Sequence, residues 1–325
     1  MQPKDLFSIS STQDFIRQAL EVFRYQYRHN RVYQQFCDLL NRTPDQVRDL
    51  EQIPFLPIEF FKSHSVKSFS GDPQMVFTSS GTTGSTPSRH QVLDLKVYEE
   101  SFRRGFQGFY GDIRNYAVLA LLPSYLEREG SSLIYMVNDL IEKSENSHSG
   151  FYLHNYEEFG EKLELLDQSG QPVLVIGVSY ALLDVAERLP KKLNNTIIME
   201  TGGMKGRRKE MIRQELHEHL KNGLGTTTIH SEYGMTELLS QAYSDGNGVF
   251  RCPPWMDIVI RDPEEPTSYL QEGRTGGINV IDLANVHSCS FVATQDLGKH
   301  LGNGHFEILG RFDHADIRGC NLMVL

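Results

Sequence analysis

Four apolar runs of strand length, three of them followed by helical patterns, constrain the fold of this chain more than any other feature. They span 116–122, 172–178, 196–200 and 226–229. The first leads through the loop PSYLEREG into a helical stretch, SSLIYMVNDLIEK. The second meets Ser179, a candidate cap for a helix over 180–189, and the third runs into Thr201-Gly202-Gly203 ahead of a basic helix over 205–220. The fourth ends in HSEYGMTE. Continuous apolar strands alternating with helices predict an α/β fold, a mostly parallel sheet flanked by helices on both faces, with loops at the carboxyl ends of the strands as the place for chemistry.

The flanks of this region read differently. Upstream, Phe15, Ala19, Val22, Phe23 and Tyr27 recur at helical spacing with Ser11 or Thr12 as a cap, and a second helix shows Val32, Phe36, Leu39 and Leu40. Thr43-Pro44 is expected to open a short third helix. A helix over 98–109 carries Phe102, Phe106 and Phe109, for which burial is a simpler reading than stacking on a base. Downstream of about residue 245, short strands over 256–260, 277–282, 290–292 and 305–309 alternate with Gly, Pro and Asp. The expected organisation is therefore a helical entry segment plus α/β lobe over 1–245 and a β-rich lobe over 246–325, forming one integrated module without a separate carboxyl-terminal domain.

Composition narrows the function. With 32 basic and 42 acidic residues the formal charge is −10, which disfavours a broad nucleic-acid or anionic-membrane surface. No apolar run is long enough to span a bilayer, and the first residues lack a secretory pattern, so a cytoplasmic location is expected. The four cysteines, Cys37, Cys252, Cys289 and Cys320, form no C-x-x-C pair, and no His-rich motif at zinc spacing is present.

The stretch 75–90, MVFTSSGTTGSTPSRH, is a candidate anion cradle. A β-prone run ending at Thr78 feeds a loop in which Gly81 and Gly84 allow close backbone approach. Ser79, Ser80, Thr82 and Thr83 add hydroxyl donors, and Arg89 adds a fixed positive charge. A flexible Ser/Gly linker has similar composition, but the order TSSGTTG suits a polyphosphate. The P-loop of kinases and ATPases is excluded, because no Lys-Ser or Lys-Thr pair follows a G-x-x-x-x-G.

Together with TSSGTTG, the stretches TGG (201–203), SEYGMTE (231–237), ATQDLG (293–298) and GRFDHADIRG (310–319) resemble, in order, the signatures of the acyl-adenylate-forming superfamily. Within it the chain resembles the LuxE-type acyl-protein synthetases, relatives of the phenylacetate-CoA ligases, through IPFLPIEFFKSH, ETGGMKGRRKE, RCPPWMDIVIRDP and GGINVIDLANVHSCSFVATQDLG as well. The resemblance implies ATP and Mg²⁺ as cofactors. It also implies activation of a fatty or other carboxylic acid as acyl-adenylate, followed by transfer of the acyl group to a cysteine thiol. An acyl donor, an acyl carrier or a reductase protein is the implied partner. Transfer to coenzyme A or an acyl carrier protein, and a non-catalytic nucleotide or acyl sensor, are the alternative readings.

The resemblance also assigns roles. Gly202 and Gly203 would lie against adenine, with Tyr233 offering a flat face beside Gly234. Thr236 would bind phosphate, Glu237 Mg²⁺, Asp296 the ribose hydroxyls, and Arg311 ribose or phosphate. Cys320, directly after Arg318-Gly319, is the candidate acyl acceptor, and His230 a candidate contact for the acyl carboxylate or the thiol. Longer relatives place a reactive lysine in a small mobile carboxyl-terminal domain; with that domain expected to be absent, Lys205, Arg207 or Arg89 would supply the charge. Two departures stand out: Gln295 occupies the glycine position of the family's TGD, and one extra residue separates Gly84 from Pro87.

Overall fold

A computed structural model describes residues 6–79, 86–122, 130–152, 155–188, 192–202, 208 and 211–312. The candidates Ser80, Gly81, Thr82, Thr83, Gly84, Gly203, Lys205, Arg207 and Cys320 lie outside them. The chain divides into two compact units, one of residues 1–74, 81–93 and 254–325 and the other of residues 75–80 and 94–253. This division follows contacts, whereas the boundary expected near 245 follows chain order.

In the first unit, helix α1 (Thr12–His29) begins where the Ser11 hydroxyl accepts from the Asp14 N–H at 3.2 Å. It buries Phe15, Ala19, Val22, Phe23 and Gln26, the stripe that its spacing predicts plus one glutamine. Asn30 both ends α1 and caps helix α2 (Arg31–Leu39), its side chain accepting from the Tyr33 N–H at 3.0 Å. On α2 the buried residues are Tyr33 and Cys37; Leu39 is 86% exposed, so the expected stripe of Val32, Phe36, Leu39 and Leu40 is rotated from the true inner face. The expected helix after Thr43 is only a turn, closed by Gln46 and Val47 N–H groups on the Thr43 carbonyl.

Strand β1 (Leu56–Pro57) and strand β3 (Arg89–Val92) belong to this unit, as do β11 (Met256–Arg261), β12 (Thr275–Asp282), β13 (Phe291–Gly302) and β14 (His305–Arg311). The last four form an antiparallel ladder in chain order, and β1 pairs in parallel with the start of β13 at Leu56↔Val292. Phe291 lies at the centre of the aromatic core, with ring centroids 6.1 Å from Tyr33 and Phe55 and 6.4 Å from Phe23. Full burial of such rings contributes roughly 1.5–3 kcal/mol each. The strand expected over 290–292 continues to Gly302, so ATQDLG lies inside a strand, not in a loop after one.

The second unit holds β2 (Met75–Thr78), β4 (Ala117–Leu121), β5 (Gly150–Phe151), β6 (Val173–Gly177), β7 (Thr196–Thr201), β8 (His230–Tyr233), β9 (Ala242–Ser244) and β10 (Val249–Arg251). Its main sheet runs β10-β9-β8-β7-β6-β4-β5, parallel from β8 to β5 and antiparallel at β8-β9 and β9-β10. Every residue of β4 and β6 is buried, which explains their unbroken apolar sequences AVLAL and VLVIG. The accompanying helices are α3 (Leu95–Tyr110), α4 (Ser132–Lys143), α5 (Tyr156–Gln168), α6 (Ser179–Arg188) and α7 (Arg213–Leu224). Phe102 and Phe106 of α3 are buried core residues, as the simpler reading requires.

Two elements differ from expectation near the motifs. The strand expected over 226–229 forms over His230–Tyr233, so SEY is itself strand. The helix expected over 205–220 forms over Arg213–Leu224 and ends at Gly225 with φ 63°, a left-handed stop that the sequence reading passed over.

Candidate functional site: the strand ends of the nucleotide motifs

Gly202 and Gly234 follow adjacent parallel strands, β7 and β8, at their carboxyl ends, where ligands bind in open α/β sheets. Thr201 and Glu232 are register partners, and the Thr201 hydroxyl donates to the Glu232 carboxylate. Gly202 has φ 69°, a conformation suited to glycine, and its carbonyl accepts from the Ser179 hydroxyl at 2.6 Å. Ser179 is thus the first residue of α6 and a tether for Gly202, not the helix cap expected from sequence. A Cβ at Gly234 would stand 2.5 Å from a Glu232 oxygen, so a side chain there would have to push that carboxylate aside.

Tyr233 is buried, with Phe250 edge-on at 6.2 Å between centroids. The Arg213 guanidinium lies 4.8 Å from the Phe250 centroid and donates to Glu200 at 3.2 Å. Thr236 and Glu237 sit in the turn after β8, where Leu238 N–H reaches the Met235 carbonyl at 3.2 Å. Glu237 is buried.

Mg²⁺ prefers few protein carboxylates together with phosphate and water oxygens, so a single Glu at this turn fits an ion carried largely by ATP phosphates. Among the described residues no group of three or more His, Cys, Asp and Glu forms a metal site of protein ligands alone.

Beneath the strand ends lies a buried polar cluster that the sequence reading missed. Glu200 meets Arg213 at 3.2 Å and the His217 ring at 3.6 Å, and Ser231 Oγ is 3.4 Å from His217 Nε2. Burial opposes the charge on Glu200, but the His217 ring, Arg213 and the Ser231 hydroxyl hold its carboxyl below the ordinary range. Glu232 goes the other way: burial raises it from 4.5 to about 7, with the Thr201 hydroxyl opposing and the Glu200 charge adding. A carboxylate inside an otherwise apolar strand such as TIIMET is the signal that could have revealed Glu200.

The Glu232 shift has a sign that can be checked. Between pH 4.5 and about 7 the folded chain holds a proton that the unfolded chain has released. Stability from this group is therefore complete at low pH and falls as pH rises through about 7. Glu232→Gln, which keeps an acceptor for Thr201, is expected to remove a decline on the order of 3 kcal/mol. Urea unfolding of both proteins at pH 5 and pH 8 isolates it; equal pH dependence in the two would reject the assignment.

His230 begins β8, three residues before Tyr233, and its Nδ1 is 3.3 Å from the Tyr110 hydroxyl. Burial lowers its pKa, with Asp245 opposing. The ring is thus set at the opposite end of the strand from Gly234. On β2, Thr78 N–H donates to the Gly130 carbonyl at 2.8 Å, which fixes the strand entering the 80–85 stretch; Ser79 follows directly.

In the first unit, Arg89 opens β3 and is exposed. Asp296 and Arg311 are register partners on β13 and β14, with Arg311 Nε 3.1 Å from the carboxylate. Asp296 is buried and Arg311 is 76% exposed. Gln295 donates through its side-chain amide to Glu59, so the residue aligned with the glycine of TGD ties β13 to the IPFLPIEFF segment.

No described helix is long and apolar enough to cross a membrane. Residues 5–119 match the family described as acyl-protein synthetase, LuxE. Over 67 residues, 20% of this chain, identity is 32% to a long-chain-fatty-acid–luciferin-component ligase from Photorhabdus luminescens, covering 57% of that protein. A solved 2-hydroxyisobutyryl-CoA ligase, in an open conformation with 2-HIB-AMP and CoA, superposes with TM-score 0.67 at 12% identity, covering 93% of this chain and 70% of that one. ATP-bound MatB from Rhodopseudomonas palustris gives TM-score 0.55 at 17% identity, covering 74% and 49%. The chain thus spans about half the length of the MatB structure and 57% of the Photorhabdus relative. Over residues 5–119 this chain is similar to the LuxE family of acyl-protein synthetases, and it shares its fold with these solved ligases.

Proposed function

We propose that the protein uses ATP to activate a carboxylic acid, with a fatty acid as the preferred class, and passes the acyl group to a cysteine thiol. The observation that carries this reading is the placement of Gly202 and of Tyr233–Gly234 at the carboxyl ends of two adjacent parallel strands, in a chain whose residues 5–119 match the LuxE family model. The relatives support it: the Photorhabdus protein is named a fatty-acid ligase, and the 2-hydroxyisobutyryl-CoA ligase holds an acyl-AMP.

In the first step a substrate carboxylate oxygen bonds to the α-phosphorus of ATP as the bond to the pyrophosphate oxygen breaks. Acyl-adenylate and pyrophosphate result. Positioning and neutralisation of charge account for most catalysis of such a step. Ser79, Ser80, Thr82, Thr83 and the loop amides at Gly81 and Gly84 would hold the β- and γ-phosphates, with Arg89 and Lys205 as cations. Tyr233 and the 202–203 backbone would hold adenine, Asp296 the ribose, and Thr236 and Arg311 phosphate or ribose. Bound Mg²⁺, held by Glu237 and phosphate oxygens, would neutralise charge on the leaving pyrophosphate.

In the second step a thiolate attacks the acyl carbonyl and AMP departs with its electron pair. Cys320 is the proposed acceptor. Among the described cysteines, Cys37 and Cys289 are buried and burial raises their thiol pKa values, Cys289 to about 12, which makes both poor thiolates. Incubation with ATP, Mg²⁺ and radiolabelled fatty acids is expected to give hydroxylamine-sensitive label on the protein. Cys320→Ala should remove at least about 90% of it by the loss of the only acceptor the proposal invokes. Full labelling of that variant would reject Cys320, and acyl release dependent on added coenzyme A or carrier protein would identify the acceptor instead.

A further inference from the structure

The β12-β13 ladder breaks at ATQD. Gly277 pairs with Leu297 and Asn279 with Ala293, so β12 advances two residues while β13 advances four. Thr294 to Asp296 thus oppose the single residue Ile278, an excess of two that forms a bulge, and bulges commonly re-aim a side chain beside a functional site.

The guanidinium of Arg261 fills this break. Its Nη1 donates to the Ile278 carbonyl at 2.9 Å and to Asn279 Oδ1 at 2.8 Å, and its Nη2 donates to the Thr294 carbonyl at 2.6 Å. The Phe312 ring lies 5.5 Å from the guanidinium carbon, and Phe312 N–H donates to the Gln295 carbonyl at 2.8 Å. Thr294 completes the turn, donating to the Ile278 carbonyl at 2.8 Å and accepting from the Asp296 N–H at 3.1 Å. Space for the guanidinium exists only because residue 277 is glycine: a Cβ there would lie 2.4 Å from the Arg261 guanidinium carbon.

We infer that Arg261 is a positioning residue for nucleotide recognition, its forked guanidinium locking the bulge that sets the direction of the Asp296 carboxylate. The inference rests on the reading of Asp296 as the ribose ligand. A lysine cannot reproduce three donors held in one plane toward three acceptors.

Calorimetric affinities for ATP and 3′-deoxy-ATP, each with Mg²⁺, test it in the full chain. The readout is the ratio of the two dissociation constants, which loss of folded protein would not move because both nucleotides meet the same folded fraction. The unmodified chain is expected to prefer ATP about tenfold, the scale of one charge-assisted hydrogen bond. Asp296→Asn should bring the ratio near one. Arg261→Lys should bring it within about twofold of one. Gly277→Ala, which displaces the guanidinium without removing it, should do the same and decides the matter if Arg261→Lys does not fold. A wild-type ratio in Arg261→Lys or, where that variant is unfolded, in Gly277→Ala, with the ratio lost in Asp296→Asn, overturns the inference and leaves the ribose reading standing. No preference in the unmodified chain, or an unchanged ratio in Asp296→Asn, overturns both.

Discussion

Glu237→Gln is expected to lower carboxylate-dependent exchange of pyrophosphate into ATP by about 100- to 1,000-fold, the usual cost of removing one aligned electrostatic contact from a reaction centre. The substitution keeps the size of the buried side chain in the turn after β8 and removes its charge. A neutral amide oxygen is a weaker ligand for a hard divalent cation than a carboxylate. The loss should be partly recovered by raising Mg²⁺, because the ion retains its phosphate ligands. Exchange within about twofold of the unmodified chain would remove Glu237 from the proposed site.

The largest expected effect on stability belongs to Gln26→Leu. The Gln26 amide is fully buried in the first unit and donates to the Asn285 and Val286 carbonyls, each at 3.0 Å, and to the Ser290 hydroxyl at 3.1 Å. Its oxygen accepts from the Ser290 N–H at 3.0 Å. Leucine fills similar volume but strands those backbone groups without water, at a cost of about 3–5 kcal/mol. Urea unfolding should show the unfolding free energy fall by that amount, and a change below about 1 kcal/mol would mean that the groups find other partners.

That glutamine also shows where sequence and structure part. Apolar periodicity identified the α1 stripe of Phe15, Ala19, Val22 and Phe23, and unbroken apolar runs identified β4 and β6, because solvent exclusion acts on each of these residues independently. Gln26 shares the α1 stripe, but its partners lie more than 250 residues away in the chain, and no local pattern announces them. The same holds for Leu56 pairing with Val292 and for the burial of Tyr33 and Cys37 on α2. The apolar run 226–229 reads as the strand because Glu232 and Ser231 look like loop residues; in the structure the strand is β8, and Thr201 and His217 meet them.

The site divides along similar lines. Motif order pointed to Gly202, Tyr233, Thr236 and Glu237, and the structure sets them at or just beyond the carboxyl ends of β7 and β8. Asp296 and Arg311 belong to two separate sequence motifs, and the β13-β14 register makes them direct partners. The supporting residues were not legible. Arg261 sits in an alternating strand where a charged residue ordinarily means a solvated edge, and only the bulge opposite Gly277 reveals its role. Glu200 and Glu232 are one register position apart on β7 and β8 and so face opposite sides of the sheet, and their opposite pKa shifts arise from these different surroundings.

The central claim is that this chain makes an acyl-adenylate. It is tested most directly by incubating the purified protein with ATP, Mg²⁺, radiolabelled pyrophosphate and single carboxylic acids from short to long chain, and following label into ATP. Reversible adenylation predicts incorporation that requires an acid and is strongest with one chain-length class. Tight ATP binding with no acid-dependent incorporation for any acid would contradict it and leave a nucleotide-binding protein that does not activate carboxylates.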